Sequence, residues 1–278
     1  MRVVDDRSIR EHGAVRFRSE YHYAVFEYWR SAKVLGYIER AGVGSLGRVL
    51  DDGCGGGGMC VSFAEEARSV VGIDPFDRFR DAGARLAQEK GVGNVRFTFA
   101  DGTALPFSAG SFDLVLSHAV IEHVADPMAY LREARRVLAP GGFMFLQTAP
   151  YLSPSGAHLP KLKIPVPLHL LIGRRAAFAT SCWLGKHAPN WLDVDPEGSS
   201  FVTMPRRGQK KIDDLLYPVT VRNLRRNIRE AGFRPLRENL YVSQFAVRTL
   251  PKSLSALVPN VPLVRDILVT NMEYLLTI

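Results

Sequence analysis

The chain lacks most of the features that would remove it from the ordinary globular class. None of its apolar runs nears the ~20 residues that a membrane-spanning helix needs. Its opening stretch, MRVVDDRSIREHG, has no long apolar core of the secretory kind. Its three cysteines, Cys54, Cys60 and Cys182, suit neither a disulfide framework nor a zinc site. No internal repeat or low-complexity tract is present. These absences lead us to expect a reduced, cytoplasmic protein without a metal centre. Acidic residues are scarce in one half only. Residues 1–150 hold 18 Lys/Arg and 19 Asp/Glu, a net −1, whereas residues 151–278 hold 18 and 9, a net +9. The whole excess of +8 therefore lies in the second half, which is expected to meet something anionic: a substrate, a phosphorylated carrier, a membrane surface or a nucleic acid. No aromatic-plus-basic RNA-binding signature is visible, so nucleic acid ranks last.

A length of 278 residues suits one large α/β domain with an elaboration, or two small domains. Residues 20–40 place Tyr21, Val25, Tyr28, Trp29, Ala32, Leu35 and Ile38 at helical spacing. Strands are then expected at 48–52, 69–74, 95–101, 112–119 and 143–149. Helices are expected between them, at about 61–68, 76–90 and 127–138, the last stopped by APGG. Such alternation predicts a doubly wound, mostly parallel sheet, with ligands at the carboxyl ends of its strands. The acids Asp51, Asp74 and Asp101 all fall on that edge.

After Pro150 the period breaks. Residues 151–215 read as an irregular inserted lid or substrate layer. A helix capped by Thr220 and stopped by Gly232, a strand near 234–242 and a final strand in NMEYLLTI complete the pattern. An irregular, proline-punctuated piece separates those last two strands. The organisation expected is thus a helical cap over 1–46, a cofactor-binding core over 47–150, an inserted region over 151–215 and a completion of the sheet over 216–278.

The segment RVLDDGCGGGGMCVSF runs from a strand into five glycines within six residues. A strand-to-helix turn of this kind aims backbone N–H groups and the helix dipole at a polar ligand. Gly53, Gly55 and Gly58 fit the dinucleotide pattern G-x-G-x-x-G, and Asp51 through Gly57 fit D-x-G-x-G-x-G. The neighbours separate the two. A carboxylate at Asp51 would repel a pyrophosphate but suits an ammonium group. Asp74 can take both hydroxyls of a ribose, and Asp101 can accept from an adenine amine. A ligand with an amine, a ribose and an adenine but no phosphate is S-adenosyl-L-methionine. Each acid alone is a common turn residue; three in order at successive strand ends are a stronger signal.

The motifs VLDDGCGGGG, VVGIDPF, VRFTFADGTALPFSAGSFDLVLSHAVIEHVADP and LREARRVLAPGGFMFL resemble, in order, those of class I S-adenosylmethionine-dependent methyltransferases. The branch is the one that includes ubiquinone- and menaquinone-biosynthesis enzymes. The resemblance covers residues 47–150 and implies a Rossmann-like seven-stranded sheet. It implies a cofactor site of Asp51, Gly53, Cys54, Gly55, Asp74, Pro75, Phe76, Asp101, Gly102, Thr103, Ser117 and His118. Asp51, Gly53 and Gly55 would line the methionine part, Asp74 the ribose, and Asp101 to Thr103 the adenine. Ser117 and His118 would lie near the sulfonium. Phe76 would pack on the adenosine face or, equally, serve as a core aromatic. Asp52 departs from the family's usual apolar residue.

Methyl transfer from a sulfonium needs a base only where the acceptor must lose a proton. Candidate bases are His118, Glu122 and His123 in SHAVIEHV, with His123 preferred, and His158 in SPSGAHLP as the second choice. His169 and His187 follow. The alternative for Glu122 and His123 is a turn-shaping role. The segment GAHLPKLKIPVPLHLLIGRRAAF mixes apolar, proline and basic residues. It is expected to cover a hydrophobic, anionic small-molecule acceptor, with a peripheral membrane contact through residues 157–178. A nicotinamide-dependent oxidoreductase or sugar-nucleotide enzyme, and a non-catalytic cofactor-binding module, stay open beside the preferred reading of O-methylation.

Overall fold

A computed structural model describes residues 4–16, 18–77, 79–153, 156, 159, 168–191 and 217–278. Its centre is a seven-stranded sheet, β1 (Arg48–Asp52), β2 (Ser69–Asp74), β3 (Val95–Phe99), β4 (Phe112–His118), β5 (Leu138–Thr148), β6 (Arg234–Val242) and β7 (Val269–Thr277), ordered β3-β2-β1-β4-β5-β7-β6. The first five strands pair in parallel, and β7 runs antiparallel between β5 and β6. The expected doubly wound sheet is therefore present. The reversal of strand order beside β1 and β4 opens the crevice where such sheets bind ligands.

Of the parallel strands, β1, β2 and β4 are mostly buried on both faces, whereas the edge strand β3 is largely exposed. On one face, Leu50, Val115, Met144 and Leu146 pack with Tyr130, Leu131 and Val137 of α6 (Pro127–Val137) and with Leu224 and Ile228. The last two belong to Val221–Glu230, which begins in a capping box between Thr220 and Asn223. On the other face, Val49, Leu114, Leu116 and Phe145 pack with Phe63 of α4 (Gly58–Ala64) and Leu35 and Ile38 of α3 (Ala32–Arg40). Ala24 and Tyr28 of α2 (Glu20–Arg30) join Val61 and Leu86, the latter from α5 (Phe79–Lys90). A helix α1 (Asp6–Val15) precedes them.

Several boundaries differ from expectation for local reasons. The helix expected over 20–40 is broken at Ser31, whose hydroxyl turns back onto the Tyr28 carbonyl at 2.7 Å. The helix after the glycines begins earlier, at Gly58 itself. APGG does not separate α6 from its strand: it lies inside β5, and the register with β4 shifts between Phe112 and Leu114. The stretches expected to be irregular contain helices: α7 (Leu168–Ile172) and α8 (Arg174–His187) after β5, and Gln244–Thr249, Lys252–Leu257 and Val264–Leu268 between β6 and β7.

Candidate active site

The glycine turn is fastened to β2 before it reaches any ligand. The N–H groups of Gly53 and Cys54 both donate to the Ile73 carbonyl, at 2.9 and 2.8 Å. Gly55 has φ 54°, and a side chain there would enter open space; the backbone here is bare toward the crevice. Gly58 answers to a different demand. A Cβ on it would lie 1.9 Å from the Ala24 carbonyl oxygen, so this glycine lets α2 lie directly on the start of α4. Part of the glycine cluster thus serves the docking of the N-terminal helix, not a ligand, which the sequence reading missed.

Asp74 is buried and accepts from the Gly55 N–H at 3.0 Å and the Phe76 N–H at 2.8 Å. The carboxylate therefore clamps the glycine turn to the loop after β2. Asp51 is also buried, and its Oδ2 accepts from the Cys60 thiol at 3.0 Å. No basic side chain pairs with it among the described residues. Burial, with smaller contributions from the charges of Glu27 and Asp74, pushes its pKa up to about 7. Such a carboxyl fits an incoming ammonium group well, and the bare Gly55 beside it fits the chain that carries that group. On these observations the residues suit S-adenosylmethionine. Cys54 is buried, and its thiol is pushed up as well: burial and nearby carboxylates raise it, although its hydrogen bond with Cys60 pulls the other way.

The remaining expected residues divide. Asp101 lies two residues beyond β3, is exposed, and accepts from both the N–H and the hydroxyl of Thr103, at 2.8 and 2.7 Å. It closes a local turn around Gly102. Pro75 and Phe76 are exposed, Phe76 by 65%, so the core alternative for Phe76 does not hold. Ser117 is fully buried and accepts from the Tyr130 hydroxyl of α6 at 2.7 Å. Asp52 lies close to Tyr130 too: an added Cβ on Gly102 would come within 2.6 Å of both its carboxylate and Tyr130. Burial raises its pKa well above the ordinary range, the neighbouring Asp51 charge adds to this against a lowering hydrogen bond from Tyr130, and its Oδ2 has no hydrogen-bond partner among the described residues.

His118, at the end of β4, has its Nδ1 3.4 Å from an Arg30 guanidinium nitrogen. Burial first, and that positive neighbour second, hold its pKa well below the usual histidine range. Glu122 is buried and accepts from the Thr148 hydroxyl at 2.9 Å, so it ties β4 to β5, in keeping with its turn-shaping alternative. His123 ends the 3-10 turn Ile121–His123, partly buried on the same edge. His169 is held by the Tyr151 carbonyl at 2.9 Å and His187 lies against the Trp183 ring, both within the inserted region. His158 lies outside the described residues.

The sequence reading gave no role to Glu27 and Arg30, which α2 brings to the edge. They pair at 3.1 Å, and the Arg30 Nε is buried without an acceptor among the described residues. The available signal was two charges three apart on the inner stripe of an otherwise apolar helix.

A mostly parallel sheet with buried acids at β1 and β2 and a glycine turn that links β1 to α4 is the arrangement that the sequence resemblance implies for a class I S-adenosylmethionine-dependent methyltransferase domain. Residues 50–146 match the family model described as "Methyltransferase domain". An uncharacterised methyltransferase of Mycobacterium sp. (strain JLS) is 41% identical over 129 residues, 46% of this chain and 47% of the relative. A ubiquinone biosynthesis O-methyltransferase of Parvibaculum lavamentivorans is 40% identical over 102 residues, 36% of this chain and 40% of the relative. The match thus spans about half or less of these curated relatives' length. A solved S-adenosylmethionine-dependent methyltransferase from Methanosarcina mazei, 17% identical, superposes with a TM-score of 0.53 over 86% of this chain and 95% of its own. That likeness concerns the fold.

Proposed function

We propose that the chain transfers a methyl group from S-adenosylmethionine to an oxygen atom of a small-molecule acceptor, free or linked to a lipid or glycan. The observation that carries this reading is Asp51: a buried carboxyl without a cationic partner among the described residues, at the mouth of the glycine turn. A pyrophosphate there would meet that charge, which disfavours the nicotinamide and sugar-nucleotide alternatives. An ammonium group would satisfy it.

When bound, the cofactor supplies an electrophilic methyl on sulfur that departs as a neutral thioether, so positioning contributes much of the rate. Asp51 holds the ammonium end, and Arg30, whose Nε has no acceptor among the described residues, meets the carboxylate beside it. Asp74 accepts from the ribose hydroxyls while keeping Gly55 in place. Asp101, Gly102 and Thr103 border the adenine, with Phe76 over its face. His118, neutral and weakly basic beside Arg30, lines the space near the sulfur. His123 takes the proton from an acceptor hydroxyl. Oxygen is the favoured atom because some relatives of this domain are O-methyltransferases by name.

The test is incubation with S-adenosylmethionine and panels of catechol, phenol, glycan and glycolipid acceptors, followed by mass spectrometry. The expected result is one added methyl on an oxygen, with His123→Gln lowering kcat and removing the acid limb of activity against pH, where protonation of the base would otherwise switch it off. Tight binding of S-adenosylhomocysteine without turnover on any acceptor would favour a binding module. Binding of NADH in preference to S-adenosylhomocysteine would overturn the cofactor.

A further inference from the structure

Seventeen large apolar side chains are exposed among the described residues, and they are not evenly spread. Five fall in 168–191 and seven in 243–268. Both segments leave the same rim. The first follows the end of β5 at Thr148; the second joins the end of β6 at Val242 to the start of β7 at Val269. Since β6 is antiparallel to β7, and β7 to β5, all three points lie on the carboxyl edge that also carries Asp51 and Asp74.

These elements are fastened to the fold by polar contacts, so their apolar groups face outward from fixed positions. The His169 ring holds the Tyr151 carbonyl. Asp266 accepts from the Val221 N–H at 2.7 Å, and the Ser243 N–H donates to the Leu268 carbonyl at 2.7 Å. Leu171, Leu254 and Leu263 are 70, 51 and 62% exposed. Within the two segments the exposed charges are of one sign. Residues 168–191 contain Arg174, Arg175 and Lys186 and no Asp or Glu; residues 243–268 contain Arg248, Lys252 and Arg265 and a single acid, the buried Asp266. Trp183 and Trp191 are more than half exposed, and indole rings favour the boundary between water and lipid.

We propose that this rim docks on an anionic membrane surface through the two segments, the leucines and tryptophans entering the headgroup–acyl boundary and the basic side chains meeting lipid phosphates. No described helix is long and apolar enough to cross a membrane, so the contact is peripheral. A surface of uniformly negative headgroups matches apolar groups carried on segments whose own exposed charges are all positive. The segment 243–268, which the sequence suggested only as an irregular piece, supplies the larger share. The docking is independent of methyl transfer and is read without it.

The experiment is co-sedimentation of the full chain with vesicles of phosphatidylcholine alone and of phosphatidylcholine with phosphatidylglycerol, at low and high salt. Binding at least tenfold stronger to the anionic vesicles, weakened by salt, is expected. The triple variant Leu171→Ser, Leu254→Ser, Leu263→Ser should lose at least tenfold of it, and so should the charge reversal Arg248→Glu, Lys252→Glu, each with its S-adenosylhomocysteine affinity unchanged. Equal binding to both vesicles, or none, overturns the proposal. So does a salt-stable dimer in sedimentation equilibrium that the leucine substitutions dissolve, because a second copy would then be the occupant.

Discussion

The two halves of this molecule invert the usual rule of burial. Between residues 47 and 150, carboxyl groups are inside: Asp51, Asp52 and Asp74 are each almost wholly removed from water. Between 168 and 268, large apolar side chains are outside, Leu171 and Leu263 most of all. Burying a charge is unfavourable unless something compensates it, and exposing a leucine forgoes hydrophobic stabilisation. Each half therefore has an unmet requirement. The first asks for a small cation with hydroxyls; the second asks for an apolar surface with negative charge. Both requirements open on one edge of the sheet.

The contrast breaks most visibly under the same substitution placed in each half. Leu116→Ala, in the centre of β4, should destabilise the fold by about 2–5 kcal/mol in chemical denaturation, because the cavity cannot collapse. A loss below 1 kcal/mol would mean that the sheet core is looser than its packing indicates. Asp74→Ala should weaken S-adenosylhomocysteine binding by about 1–3 kcal/mol in calorimetry, since it removes an acceptor for the ligand and the clamp on Gly55. Unchanged affinity would misplace the ribose.

The third prediction concerns pH. Asp51 has a folded pKa raised to about 7, above its unfolded value, so the folded state binds the proton more tightly. Its contribution to stability is full below about pH 4 and is lost as pH rises through about 7. An ammonium-bearing ligand needs the ionised form, so affinity for S-adenosylhomocysteine should rise from pH 5.5 to 7, by up to about tenfold per unit, and level off above. Asp51→Asn should flatten that profile; a slope that survives it would point to another group. The smallest effect sharpens the contrast from the other side. Leu254→Ala should change stability by no more than about 0.5 kcal/mol, as surface substitutions do, and its melting temperature should match that of the unaltered chain.

The legibility of the molecule in its sequence follows the same divide. The sheet and its rim could be read because buried parallel strands are short apolar runs, and because Asp51 and Asp74 terminate two of them. Thr220 and Gly232 marked their helix by capping chemistry. The break at Ser31 was hidden by an apolar stripe that continues across it. The role of Gly58 depends on Ala24, far away in the chain, and no local pattern reports such a contact. The helices between β6 and β7 were missed because Phe245, Leu254, Leu257 and Leu263 do not face a core. Where apolar residues point outward, no helical period marks a buried side. Roles for His118 and Arg30 depend equally on two distant elements meeting.

Asp51 and Asp52 are neighbours in one strand, and the pleat sends successive side chains to opposite faces. One meets the Cys60 thiol; the other sits beneath Gly102 against Tyr130. Among the causes that raise Asp52, the charge of Asp51 follows burial. β1 therefore carries two buried carboxyl groups back to back, one turned toward α4 and the other toward α6, so a single strand presents an acid to each of the two layers that cover the sheet.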